Sequence, residues 1–271
     1  MSQIEGWQLS GRAAEFYEQY VTQLMAPWVQ SLIEVAALRP GERVLDVACG
    51  TGFVARLAAD LVGVEGQVVG IDLNASMIEA ARTASDVEGH RRVEWRVGDA
   101  AALPFEAAAF DVVLCQQGVQ FFPDWVTALK EMLRVLRPGG RLAFTVWSAI
   151  EDTPYFGAVA HALGKNVSAE VAATVRAPCA LHDDRQLYEL VVSAGFSNVH
   201  VRPTIKETSL SSSADAVLGR LAATPVAAIV AQMTPNGRRA LVRDITDVLT
   251  SYVDGEQWTL PAGVHVVTAE V

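Results

Sequence analysis

The run Arg43-Val44-Leu45-Asp46-Val47-Ala48-Cys49-Gly50-Thr51-Gly52 constrains this chain more than any other stretch. An apolar segment passes into a glycine turn, and the residues beyond it have helical character. A buried strand, a tight turn and a helix therefore follow one another. Gly50 and Gly52 let the backbone approach a ligand where a Cβ would clash. Many nucleotide folds use such a turn, and Asp46 narrows the reading. A carboxylate at the mouth of the turn repels a pyrophosphate, which needs bare N–H groups at a helix N-terminus. It favours a cation such as an ammonium or a sulfonium.

The turn opens an alternating pattern. Strands over 44–48, 67–71, 92–97, 110–115 and 141–147 are interleaved with helices over 53–61, 76–84 and 124–136, the last stopped by Pro138-Gly139-Gly140. This rhythm predicts an α/β fold with a Rossmann-like, doubly wound parallel sheet. Upstream, 13–38 has helical spacing, and Pro27 is expected to break it or to start a second helix. After Trp147 the pattern changes to helices over 154–163, 168–175 and 183–194, and a strand over 197–209 with an irregularity at Pro203. Helices over 213–222, 225–233 and 237–252 and a short strand over 264–267 close the chain. The extra helices are expected over the carboxyl ends of the strands, where open α/β sheets bind ligands. The predicted organisation is N-terminal helices covering the cofactor (1–38), a cofactor-binding core (39–147) and a helical lid insertion (148–182). Segments 183–210 and 256–271 complete the core sheet, with a second lid insertion at 211–255.

Of the 271 residues, 51% are apolar, enough for a sizeable core. The net charge of −10 argues against nucleic acid, whose phosphates need clustered Lys and Arg. Cys49, Cys115 and Cys179 form no CxxC pair, so neither zinc nor another metal is expected. They read as small buried hydrophobes in a reducing cytosol, and a cytoplasmic location is expected. Residues 1–10 contain Glu5 and lack the apolar stretch of a signal peptide. Apolar runs stop well short of the ~18 residues of a membrane span.

Asp72 ends the second strand about 20 residues past the glycine turn, where an acid accepts both ribose hydroxyls. The competing role is a helix cap, with Asn74 as its rival. Asp99, after the third strand, is placed to accept from an adenine amino group, with the Ala100 N–H facing the ring. Leu73 flanks the ribose acid. Met77 lies against the adenine face or fills core. Gln116 is expected at the methionine end of a cofactor, with Gln117 and Phe121 facing an acceptor. With Asp46, the set points to a methyl-donor site rather than a dinucleotide site.

Four ordered motifs carry a family resemblance. They are Val44-Leu45-Asp46-Val47-Ala48-Cys49-Gly50-Thr51-Gly52, Gly70-Ile71-Asp72-Leu73-Asn74-Ala75-Ser76-Met77, Gly98-Asp99-Ala100-Ala101-Ala102-Leu103-Pro104-Phe105 and Leu136-Arg137-Pro138-Gly139-Gly140. Together they resemble class I S-adenosylmethionine-dependent methyltransferases, in the branch similar to the ubiquinone and menaquinone C-methyltransferases and many bacterial natural-product enzymes. The likeness is strong over 39–147 and looser around Tyr17, Tyr20 and Pro27-Trp28 and at Val264-His265-Val266-Val267-Thr268-Ala269. It implies a seven-stranded sheet with an antiparallel last hairpin. It assigns Asp72 to the ribose, Asp99 and Ala100 to adenine, and the Asp46 to Gly52 turn, Ala48 included, to the methionine moiety. It also implies that the N-terminal helix folds over the cofactor, bringing Tyr20 or Trp28 close.

Methyl transfer from a sulfonium is an in-line displacement, so the protein mainly aligns the reactants and excludes water. A base is needed only if the acceptor must lose a proton. His182, just before a helix and after the first insertion, is the candidate, since histidine titrates near neutrality. It equally precedes the Asp183 cap. His161 on an inserted helix ranks second, His265 reads as structural, and His90 as a solvent-exposed loop residue. Trp147, Tyr155 and Phe156 line the acceptor site or pack the lid. The lid is rich in Ala, Val and Leu and poor in Lys and Arg, which favours a small apolar or aromatic acceptor, quinone-like or a secondary metabolite, over a phosphorylated one. The rival readings are a cofactor-binding protein without methyl transfer (a cyclase or a regulatory module), an NAD-dependent oxidoreductase, which Asp46 disfavours, and a nucleic-acid methyltransferase, which the charge opposes. The methylated atom and the assembly, a homodimer included, stay open.

Overall fold

Alternation along a short apolar strand sets the layering. In the computed structural model, which describes residues 13–88 and 92–271, Val44 joins one core and Leu45 and Val47 the other, on opposite faces of the sheet. His90 and the 1–10 segment lie outside the described residues.

Two N-terminal helices, α1 (Ala13–Tyr20) and α2 (Thr22–Ala36), precede β1 (Arg43–Val47). Then follow α3 (Phe53–Val62), β2 (Gln67–Asp72), α4 (Ala75–Glu88), β3 (Val93–Val97), β4 (Phe110–Gln116), α5 (Trp125–Val135) and β5 (Leu136–Trp147). Helices α6 (Pro154–Asn166), α7 (Ala169–Arg176) and α8 (Asp184–Ser193) lead to β6 (Ser197–Ser211). Helices α9 (Ala214–Ala222), α10 (Ala227–Gln232) and α11 (Pro235–Val248) come before β7 (Val253–Asp254) and β8 (Gln257–Glu270).

The strand order is β3-β2-β1-β4-β5-β8-β6, with β8 antiparallel to both β5 and β6 and the first five strands parallel. This is the expected doubly wound sheet of seven strands. The two-residue β7, which pairs with β8, is an eighth strand that short apolar runs do not announce. One core packs α2, α3, α6, α9 and α11 on the Val44 face; the other packs α5 and α8 on the Leu45 face. The two groups of inserted helices meet where Lys165 Nζ and Asn166 Nδ2 both donate to the Asp244 carboxylate, at 3.0 and 2.7 Å. No helix among the described residues is long and apolar enough to cross a membrane.

Three local expectations are corrected. The N-terminal helix is interrupted at Val21 and not at Pro27, which sits inside α2. An interior proline costs about 3 kcal/mol, but Trp28, Val29 and Leu32 beside it are fully buried against the sheet. Lys206 Nζ also donates to the Pro27 carbonyl at 2.8 Å. Pro203 stays in register opposite His265, because β6 is an edge strand and its missing N–H faces away from the ladder. The irregularity falls instead between Ser197 and His200, where Asn198 has φ 48°. Finally, β8 runs for 14 residues, far beyond 264–267, since it is covered on both edges.

The turn after β1 is fixed by packing as well as by ligand access. A Cβ on Gly52, whose φ is 84°, would fall 2.2 Å from the Trp95 ring on β3. Gly52→Ala is expected to lower the unfolding free energy by roughly 2–4 kcal/mol in urea titrations, from left-handed strain plus overpacking. In a Trp95→Leu background the same substitution should cost only about 1 kcal/mol. An equal penalty in both backgrounds would rule out the ring as the cause.

Candidate active site

The carboxyl ends of β1, β2 and β4 open into a cavity of about 310 Å³. Its strand side is lined by Ala48, Gly50, Asp72, Leu73, Met77, Asp99, Ala100 and Gln116. Its far side is lined by Gln117, Phe121, Trp147, Tyr155 and Phe156, and by Thr174, Arg220 and Val226 from the inserted helices. A smaller pouch of about 30 Å³ adjoins it under α1 and α2, sharing Tyr17, Met25, Ala48, Gly50 and Gln116, and Asp46 lies along its wall.

Asp72 organises the mouth. One carboxylate oxygen accepts from the Gly50 amide at 2.9 Å and the other from the Asn74 amide at 2.8 Å. Burial raises its pKa, and these two amides pull it back. The cap role goes to Asn74, whose Oδ1 accepts from Ser76 N at 3.0 Å. Gly50 has φ 55° and nothing within 4 Å of where a Cβ would stand, so its backbone faces open space. Ala48 holds φ 55° without being glycine, a strained position at the cavity edge.

Asp46 is 1% exposed, and neither carboxylate oxygen has a hydrogen-bond partner. Desolvation pushes its pKa well above the usual carboxylate range. The Ala55 amide at the start of α3 offsets this only in part, being too poorly placed to form a proper bond, and the Asp72 charge adds to the rise. Burial, with Asp72 and Glu18 nearby, lifts the Tyr17 hydroxyl to about 12. Burial beside Asp46 and Asp72 likewise raises the Cys49 thiol, so this cysteine is protonated and inert.

The far side is built differently. Gln117 has φ 53° and is held there by its amide on Thr145 O at 2.9 Å. Gln120 Nε2 donates to Gln117 Oε1 at 2.9 Å, leaving the buried Gln117 Nε2 unpartnered. Gln116 Nε2 reaches Met25 O at 3.3 Å and ties α2 to the end of β4.

Most expected site residues converge here, and five do not. Gly52 faces Trp95 and not the cavity. Tyr20 stacks on Phe16 at 6.2 Å and packs against Gly219 of α9; one turn earlier on the same helix, Tyr17 takes the place over the cavity. Trp28 is fully buried, with Lys206 Nζ 5.5 Å from its ring centre. His182 is exposed and outside the cavity lining; its Nδ1 bonds Cys179 O at 2.8 Å, and its carbonyl bonds His265 Nε2 at 2.7 Å. In this structure its ring and carbonyl hold the turn before α8 and do not face the cavity. His161 is also exposed and off the cavity. Arg220, which the sequence reading missed, does line the cavity; its only signal was a lone cation within the apolar run Ala216-Val217-Leu218-Gly219-Arg220-Leu221-Ala222.

The folded state holds a proton on Asp46 more tightly than the unfolded chain does. The stability linked to that proton is complete below about pH 4 and is lost as pH rises through the raised folded pKa. Asp46→Asn should therefore unfold at higher urea than the parent at neutral pH, with the gap closing toward about pH 4. A gap that does not depend on pH would refute the buried charge.

The ubiE/COQ5 methyltransferase family profile matches residues 21–203. The demethylmenaquinone methyltransferase of Lactococcus lactis is 42% identical over 102 residues, 38% of this chain and 40% of that protein. Nocamycin O-methyltransferase of Saccharothrix syringae is 29% identical over 273 residues, 96% of each chain. The chain spans about half the length of the first curated relatives it matches. The crystal structure of the [4+2]-cyclase SpnF superposes with a TM-score of 0.56 at 23% identity, over 90% of this chain and 79% of that one, a likeness of fold. With a family match that runs from α2 into β6, across the glycine turn and every strand that opens into the cavity, the chain belongs to the ubiE/COQ5 methyltransferase family.

Proposed function

We propose that this chain transfers a methyl group from S-adenosylmethionine to a small apolar or aromatic molecule held between the sheet and a lid formed by the inserted helices. Asp46 is the observation that carries the reading. A buried carboxylate without a partner is costly unless a cation neutralises it. S-adenosylmethionine carries an ammonium and a sulfonium and, when bound, supplies a methyl group already activated for transfer. Asp46 and the Ala48 to Gly50 turn would hold its charged end. Asp72 keeps lone pairs beyond its two amide bonds for ribose hydroxyls. Asp99 and the Ala100 N–H would take the adenine edge, and Met77 its face. Tyr17 and Met25 cover this end from α1 and α2.

Among the described residues no histidine lines the cavity, which supports a reading in which the protein contributes alignment and exclusion of water. The relatives named for demethylmenaquinone and nocamycin support a small-molecule acceptor. The apolar far side, with Phe121, Trp147 and Phe156, supports an aromatic one.

Calorimetry with S-adenosylmethionine and S-adenosylhomocysteine tests the donor site. Micromolar binding of both is expected, with Asp72→Asn weakening each at least tenfold. Absence of binding to folded protein would refute the reading. His182→Ala should leave turnover within twofold of the parent once an acceptor is in hand, and a large loss would return that residue to the site.

A further inference from the structure

Arg220 stands out in the far half of the cavity. It is 5% exposed and lines the cavity with Tyr155, Trp147 and Phe156. Its Nε donates to the Tyr155 hydroxyl at 3.0 Å and its second terminal nitrogen to Ser211 O at 2.8 Å. The guanidinium lies 5.2 Å from the Tyr155 ring centre and 6.0 Å from that of Trp258. All of these partners are neutral. No carboxylate among the described residues pairs with Arg220, and the cavity's acids, Asp72 and Asp99, belong to its strand side. A buried cation without a counter-charge carries a desolvation cost that an anionic ligand would relieve.

Resting on the methyl-transfer reading above, we propose that the acceptor is an organic anion, and that Arg220 holds its ionised oxygen, a carboxylate or an acidic enolate. Guanidinium N–H groups not engaged by Tyr155 and Ser211 remain to donate to it. The Tyr155 hydroxyl, which accepts from Arg220, keeps its own proton as a further donor. The aromatic wall then takes the carbon skeleton. This also accounts for a site without an imidazole base, since an acceptor that arrives ionised has no proton to lose.

The test uses two matched pairs on the full chain, with and without saturating S-adenosylhomocysteine. The pairs are 2-naphthoate against its methyl ester, and 2-hydroxy-1,4-naphthoquinone, an acidic enol, against its 2-methoxy ether. Calorimetry should show at least one anion binding tenfold or more tighter than its neutral partner, and the pair that responds identifies carboxylate or enolate. Arg220→Met should reduce that preference below twofold while S-adenosylhomocysteine still binds, and Arg220→Lys should retain part of it. Should Arg220→Met fail to fold, the two pairs on the parent protein still decide. Anions that bind no tighter than their neutral partners, or not at all, overturn the proposal, as does a preference that survives in Arg220→Met. Loss of S-adenosylhomocysteine binding by the parent would instead sink the methyl-transfer reading.

Discussion

One carboxylate holds the mouth of this sheet in shape. Asp72 bonds the Gly50 amide after β1 and the Asn74 amide after β2, so two strand ends and two helix starts are fixed by one side chain. Parallel neighbours β1 and β2 bring the two ends level, with Val47 opposite Ile71. The φ of 55° at Gly50 then aims its amide at the carboxylate while leaving open space on the other side. The remaining cavity features are hung from this point: Asp46 within β1, Asp99 just past β3, Tyr17 above.

The cavity is divided electrically. Its sheet end carries acids that burial has pushed toward their neutral forms, and its helical end carries a buried arginine. Each end stores unfavourable desolvation that a ligand of opposite charge would relieve. On the proposed reading, such a site would select by sign as well as by shape.

Much of the sheet could be read from residues because period-two burial and glycine turns are local signals. Asp46, Asp72 and Asp99 were legible since they lie within, at the end of and just after three strands that are adjacent in space. Elements whose position depends on distant partners were harder. Pro27 looks like a helix break until the burial of Trp28 and Leu32 is counted. Pro203 looks like a kink until β6 is known to be an edge. Tyr17 and Tyr20 sit on the same short helix, and only the docking of α1 on Gly219 decides which of them faces the cavity. Arg220 was invisible for a similar reason: one cation in an apolar helix reads as a surface residue until the helix is seen folded over the sheet.

The long β6–β8 pairing has a further consequence. Ser211 lies opposite Gln257, and Ser212 donates to Glu256 O through both its amide and its hydroxyl, at 3.1 and 2.8 Å. The helices that carry Arg220 therefore leave and rejoin the sheet at one clamped point. A segment anchored this way is a cassette. Its replacement must restore Tyr20 against Gly219 and Lys165 with Asp244 and takes the two-residue β7 with it, but it leaves the other seven strands and the Asp72 clamp untouched. A lineage can thus change the lining of the far half of the cavity while inheriting the strand side intact.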